Sequence, residues 1–432
     1  MNAVKANSTN LLLEALGLLA LGALVLWGRT AFYRMALFAT AGALALSSLA
    51  RLTSVLLRRS ADANPYLAAL SAALGLGLMA ALLLLPRAAL ALLPLALAVS
   101  ILFNGLVKLL TYFNYRKNRV HGRFLAMVDC LFYLVFGVLL LFSPLLHLEA
   151  VLIVIGVYCM LLGVTALRDF VREILPPATK VSLKRRLRVG LPVLFAAFIP
   201  YRMLSRFNRY LAAQPPAQRQ IGDFAQVKSG RAANLEVLFH VMPKGSGAIG
   251  HLDLCLDGRV ISYGNYDDAS TTLFGGMGDG VLLFADKQPY LNYCIHETGK
   301  TIFSFGLALN TAQKRRVERQ IRDMAKGLLP WLPPIRRGEG APPFDDTASR
   351  LYRATRAEFY KFRSGKFKSY FVLSTNCCLL ADSIIGPSGV DLLKISGIIA
   401  PGTYYDYLEG EFRQPHGMVV SRQVYASVAP SG

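Results

Sequence analysis

Charge is scarce in this sequence. Only 17% of its 432 residues are Asp, Glu, Lys or Arg, where soluble domains carry about a quarter. The mean hydropathy is +0.42. A wholly soluble chain is excluded on that ground, and part of it is expected to face lipid. Acidic residues are the scarcer kind, 26 against 47 Lys and Arg, for a net charge of +21. Such an excess suggests nucleic acid, anionic lipid or a membrane-topology signal. Much of it flanks apolar segments, in Arg116-Lys117-Asn118-Arg119 and Lys184-Arg185-Arg186-Leu187-Arg188. That placement favours topology, with membrane lipids as partners and no nucleic acid. The six cysteines, at 130, 159, 255, 294, 377 and 378, have neither a paired framework nor metal-ligand spacing. No disulfide scaffold, metal site or other cofactor is expected. No cleavable signal peptide is read, because the first apolar run begins after Asn10 and several more follow it.

Six apolar runs cover 11–28, 32–50, 66–86, 88–112, 123–143 and 148–168. Each is near the roughly twenty residues a bilayer requires. Small residues recur within them, as in Ala68 to Ala81 and Gly42 to Ala45, where helices can approach closely. Asp129 is the foremost candidate for a functional acid in the bundle, the alternative being an interhelical polar contact. Connections 51–65 and 113–123 and the one after 168 are basic, whereas the one after 143 has no Lys or Arg. By the positive-inside rule, the N-terminus and the end of the sixth span are cytoplasmic. Six spans in a basic-flanked bundle resemble the HdeD-like family of bacterial inner-membrane proteins, over roughly residues 10–170.

Residues 171–212 read as a basic linker. Val189 to Leu204 is apolar but broken by Pro192 and Pro200 and flanked by arginines, which suits a helix lying in the interface. A seventh span there would place everything downstream on the opposite side. From 213 to 432 the chain reads as one α+β domain with an antiparallel sheet. Strands are expected at 233–241, 252–256, 260–263, 280–284 and 301–306, and helices at 311–329 and 347–362, with an exposed loop over 333–346. Gly275 to Gly280 reads as a mobile loop beside the site, since it lacks the residues of a phosphate cradle. The aromatic run Pro401 to Leu408 reads as a groove lining or as packing of a terminal strand or turn.

The stretch Ser374-Thr375-Asn376-Cys377-Cys378 follows an apolar strand and opens a short helix. A cysteine at a helix N-terminus has a lowered pKa and a raised thiolate fraction. Among six histidines, His251 stands out as a possible base. It begins the alternating strand His251-Leu252-Asp253-Leu254-Cys255-Leu256, and Asp257-Gly258 turns the chain into Arg259-Val260-Ile261-Ser262. A histidine ahead of the cysteine, on a strand with a tight hairpin, with Asn376-Cys377 opening a later helix, resembles the circularly permuted NlpC-type papain-like superfamily. Lecithin:retinol acyltransferase and the YiiX/YaeF-type proteins belong to it. The resemblance spans roughly 235–425 and implies a cysteine nucleophile, Cys377, with His251 as its base, attacking an amide or ester carbonyl. It also implies Cys377 rather than Cys378, since the family's cysteine follows an asparagine.

The superfamily places a third polar residue one strand after the histidine, a position matched here by Ser262. Side chains 251, 253, 262 and 264 share one face of the hairpin. Serine is a weak orienter, so Asn265, Asp267 and His296 remain alternatives. The sequence therefore suggests a membrane-anchored thiol hydrolase or acyltransferase acting on an acylated lipid or peptide, its catalytic domain cytoplasmic. The competing reading is a non-catalytic stress or transport-associated membrane protein whose papain-like domain only binds.

Overall fold

The computed structural model describes residues 2–56, 65–120, 123–142, 144, 147–174, 226–228, 231–242, 250–338, 343–386, 401–413 and 417–426. The chain divides into two compact units, Lys5–Leu109 with Met127–Arg172, and Glu173–Gly432 with Leu110–Ala126. The apolar runs fold as five helices: α1 (Asn2–Leu56), α2 (Pro65–Leu84), α3 (Pro86–Lys117), α4 (Arg123–Phe142) and α5 (Leu148–Ile174). Two of the six expected spans join in α1, where Arg29 (φ 42°, ψ −121°) interrupts the helix between them. Helices α1 to α4 are long and apolar enough to cross a membrane, and α5 contributes a shorter apolar stretch, Leu148–Val164. Their large apolar side chains, such as Leu46, Leu74, Phe132 and Phe142, point outward, as a lipid-facing surface requires.

Small residues do bring helices together, and within the expected stretch Ala68 to Ala81 a Cβ on Gly75 of α2 would stand against Ser48 of α1. A Cβ on Gly22 would stand 2.8 Å from Met160 Cγ and 2.9 Å from Gly156 O, so α1 and α5 touch through glycine. At Gly42 there is nothing within 4 Å. Asp129 on α4 forms an ion pair with Lys108 of α3, and Lys108 Nζ also lies 4.7 Å from the centre of the Tyr133 ring. Asp129 is thus an interhelical polar contact. The linker expectation for 189–204 lies outside the described residues.

The C-terminal unit carries an antiparallel nine-stranded sheet. Its strands are β1 (Gln226–Val227), β2 (Leu235–Val241), β3 (His251–Leu256), β4 (Arg259–Gly264), β6 (Val281–Asp286), β7 (Thr301–Leu307), β8 (Leu328–Pro330), β9 (Glu358–Phe362) and β11 (Val419–Tyr425). Their spatial order is β1-β11-β7-β2-β3-β4-β6-β9-β8. A separate pair joins β5 (Met277–Asp279) to β10 (Ser369–Phe371). The Asp257-Gly258 turn forms as expected, with φ of 49° and 83°, and sets Leu256 against Arg259. Of Gly275 to Gly280, expected as a loop, the first residues complete a turn and Met277–Asp279 form β5.

Helix α6 (Lys287–Asn292) continues into a π-helical turn, Tyr293–Glu297. Helix α7 (Thr311–Ala325) is opened by a capping box from Asn310 and Gln313. It ends earlier than its periodicity suggests, because Leu328-Leu329-Pro330 is claimed as an edge strand by β9. After the short α8 (Pro334–Arg337), helix α9 (Thr347–Thr355) stops at Arg356, whose φ of 54° ends the helix. The alternating Glu358-Phe359-Tyr360-Lys361-Phe362 is β9 rather than more helix. Helix α10 (Cys377–Ile385) crosses the sheet, and α11 (Pro401–Arg413) replaces the expected terminal strand or turn. Tyr405 of α11 packs its ring against Phe239, Phe303 and Phe305, so this aromatic run fills the core.

Candidate functional site

Helix α10 begins at Cys377 because Asn376 caps it. The Asn376 side chain accepts from Leu379 N–H at 3.0 Å and donates to Val372 O at 2.9 Å, which fixes both the turn and the helix start. The Cys377 N–H, at the first helical position, has no carbonyl four residues back within the helix and lies at the positive end of its dipole.

Helix α10 packs on β3, and Cys377 meets His251 there. There the His251 imidazole and the Leu252 backbone N–H both favour the Cys377 thiolate. His251 Nε2 lies 2.8 Å from Asp253 Oδ1 and 3.2 Å from Ser262 Oγ. With Nε2 engaged by Asp253, Nδ1 is the nitrogen left to face the thiol. The carboxylate thereby selects the tautomer.

Asp253 is held on several sides. Tyr290 O–H donates to Oδ2 at 2.7 Å. His240, directly opposite His251 in the β2–β3 ladder, brings its Nε2 within 2.8 Å of the same oxygen. That approach lies off the direction in which an N–H would donate well. Ser262 Oγ is 2.6 Å from Tyr266 Oη. The Asp253 side chain is fully buried and that of His251 is 22% exposed.

The electrostatics follow from this packing. Burial alone would lower the pKa of His251, but the Asp253 carboxylate and then the Cys377 thiolate raise it to about 10. Burial would likewise raise that of Asp253, yet the facing imidazoles hold it well below the usual carboxylate range. His240 goes the other way, its pKa lowered by burial. The contact with Cys378 does most to lower the Cys377 thiol, against the burial that would raise it, and His251 and the Leu252 N–H help. Other thiols of this unit are inert by comparison: burial pushes Cys255 up to about 11 and Cys294 to about 12.

All three residues singled out from the sequence, Cys377, His251 and Ser262, come together. Of the alternative orienters, Asn265 bonds Thr271 and Asp267 pairs with Lys361. His296 lines a separate cavity of about 430 Å³ with Pro289, Asn292, Tyr293, Glu297 and Ala354. Asp253, the closest group to His251 Nε2, is the residue that sequence reasoning passed over. It had already been placed on the right face. Among the described residues no cluster of His, Cys, Asp and Glu is arranged to hold a metal ion.

Residues 76–142 and 128–174 match the family model described as a short repeat of unknown function, DUF308. The match covers less than half of the chain. Together with the apolar helices, it fits the HdeD-like resemblance of the membrane domain. No curated protein and no solved structure matches the chain. The chain is a membrane-associated protein with several candidate spans, followed by a C-terminal antiparallel-sheet domain.

Proposed function

We propose that the C-terminal domain is a permuted papain-like thiol enzyme, a hydrolase or acyltransferase that attacks an ester or amide carbonyl. One observation carries this reading: a cysteine at the start of a helix packed on the strand of a histidine that is itself held by a buried carboxylate. That is the nucleophile–base–orienter arrangement of covalent acyl transfer.

In the proposed cycle, His251 Nδ1 takes the Cys377 proton and the thiolate adds to the carbonyl carbon. The carbonyl π bond breaks to leave an oxyanion, which the Cys377 N–H at the helix N-terminus stabilises. The oxyanion collapses, the leaving alcohol or amine takes the proton from Nδ1, and a thioester remains on Cys377. Water or an acceptor hydroxyl or amine then gives its proton to His251 and attacks the thioester. The acid, ester or amide product departs and the thiol is restored. Asp253 carries no proton in this cycle; it stabilises the imidazolium.

The burial of Cys377, only 4% exposed, favours the other reading, a domain that binds without chemistry. An acyl-directed thiol probe on native membranes separates the two. Labelling of Cys377 that His251→Ala abolishes supports the enzyme, and an inert Cys377 supports the binder. In the enzyme reading, the chain sits in the bacterial inner membrane with this domain in the cytoplasm. Protease cleavage near residues 333–346 in inverted vesicles, but not in spheroplasts, tests that placement.

A further inference from the structure

From residue 226 onward, the described residues expose few large apolar side chains: Val227, Leu273, Phe274, Leu329 and Leu332. Leu273 and Phe274 are adjacent and form the tip of one turn. Gly276 N–H donates to Leu273 O at 3.0 Å, and between them Phe274 and Gly275 have φ of 53° and 90°. Two positive-φ residues inside a hydrogen-bonded four-residue turn are the type I′ pattern, whose first central place favours Asn, Asp or Gly. Here a phenylalanine holds it, and Leu273 before it also has a positive φ, 50°. Bulky side chains are strained there. Folding gains nothing in return, because the Phe274 ring is fully exposed. Asparagine or glycine would close the same turn with less strain, so the ring serves something outside this unit's own core.

The surroundings say what that is. Ala269 to Gly278 contains no charged residue, although the chain as a whole carries +21. A neutral tip bearing an aromatic and an aliphatic side chain suits hydrocarbon and its interface, not a charged partner. The chain carries helices apolar enough to cross a membrane, so this unit is tethered to a bilayer. The turn is also joined to the thiol segment. Val372 N–H donates to Gly276 O at 2.9 Å, and β5 pairs with β10, from which Ser374 to Asn376 lead into Cys377.

We infer that the Leu273–Phe274 turn is a lipid-inserting tip, and that the substrate of Cys377 is a membrane-borne acyl lipid taken up at this turn. The substrate assignment rests on the thiol reading above; the insertion does not. For the test, the full chain carrying p-benzoylphenylalanine in place of Phe274 is placed in nanodiscs of phosphatidylethanolamine and phosphatidylglycerol and irradiated. A phospholipid adduct at position 274 is expected. None is expected when the photoreactive residue replaces the exposed Lys326. No lipid adduct at 274, or an adduct to another protein chain instead, overturns the insertion. If Cys377 still takes an acyl-directed probe, the thiol reading survives that result.

The substrate assignment has its own variant. Phe274→Asn suits the turn and keeps the fold, so labelling of Cys377 by a small water-soluble thiol probe should be unchanged. Labelling by a long-chain acyl probe embedded in the nanodisc should fall about tenfold, the worth of one buried aromatic side chain. Equal labelling of both proteins by the embedded probe overturns the assignment.

Discussion

His251 Nε2 lies 2.8 Å from Asp253 Oδ1, two residues along the same strand, and the carboxylate is wholly buried. The orienting group therefore sits beside the histidine on β3. Ser262, one strand over, is a second and longer contact at 3.2 Å. Asp253→Asn should lower turnover on an acyl substrate by on the order of 10³-fold or more, since the amide neither fixes the tautomer nor stabilises the imidazolium. Ser262→Ala should cost about tenfold or less, the scale of one neutral hydrogen bond. Comparing the two in burst-phase acylation decides between them. A larger loss in Ser262→Ala would return the third place to the serine.

The pH profile follows from the same pair. Cys377 is lowered and His251 is raised to about 10, so the thiolate–imidazolium pair persists across neutral pH. Alkylation of Cys377 by iodoacetamide should be nearly flat from about pH 6 to 9, whereas an ordinary thiol accelerates towards its pKa of about 8.5. Stability has a definite sign as well. His251 titrates higher folded than unfolded, so its contribution is full below about pH 6.5 and is lost as pH rises through about 10. Asp253 titrates lower when folded, so its contribution is full above about pH 3.9 and is lost on acidification. Melting temperatures across this range should show both limbs, and Asp253→Asn should flatten them.

The local chemistry of this site was legible in the sequence, and the family resemblance gave the Cys377–His251 pairing, but the groups around Asp253 were not legible. The Asp257-Gly258 turn fixed the β3–β4 register, and period-two alternation placed Asp253 and Ser262 on the face of His251. Asn376 marked the helix that begins at Cys377. His240 was unreadable because it meets His251 across β2–β3, whose connection is too long for a turn type to set the register. The helices over 311–329 and 347–362 were extended too far for a related reason. Leu328 to Pro330 and Glu358 to Phe362 become strands only because they pair with each other, a tertiary choice that local propensity does not contain. The break between the apolar runs 11–28 and 32–50 marked the interruption at Arg29, though not that one helix continues across it.

Cys378 is more than filler behind the nucleophile. It is fully buried, and its contact with Cys377 does most to lower the nucleophile's pKa. Cys378→Ala should move the acid limb of Cys377 alkylation to higher pH, at a stability cost of about 1 kcal/mol. Cys378→Ser keeps a hydroxyl donor in place and should restore the limb. If alanine and serine variants gave the same profile as the parent, Cys378 would be a packing residue alone.

In the helical unit, the Lys108–Asp129 pair joins α3 to α4. Two opposite charges beside lipid stabilise each other chiefly by sparing each the cost of standing alone. Lys108→Leu leaves the Asp129 carboxylate without its counter-charge, and Asp129→Leu strands the ammonium above the Tyr133 ring. Either single change should lower the melting temperature in detergent. The double change Lys108→Leu with Asp129→Leu should recover part of that loss, because apolar side chains at both positions suit helices in lipid. A functional acid would behave differently. Asp129→Asn would then abolish activity with little change in melting temperature, and the double variant would stay inactive however well it folded.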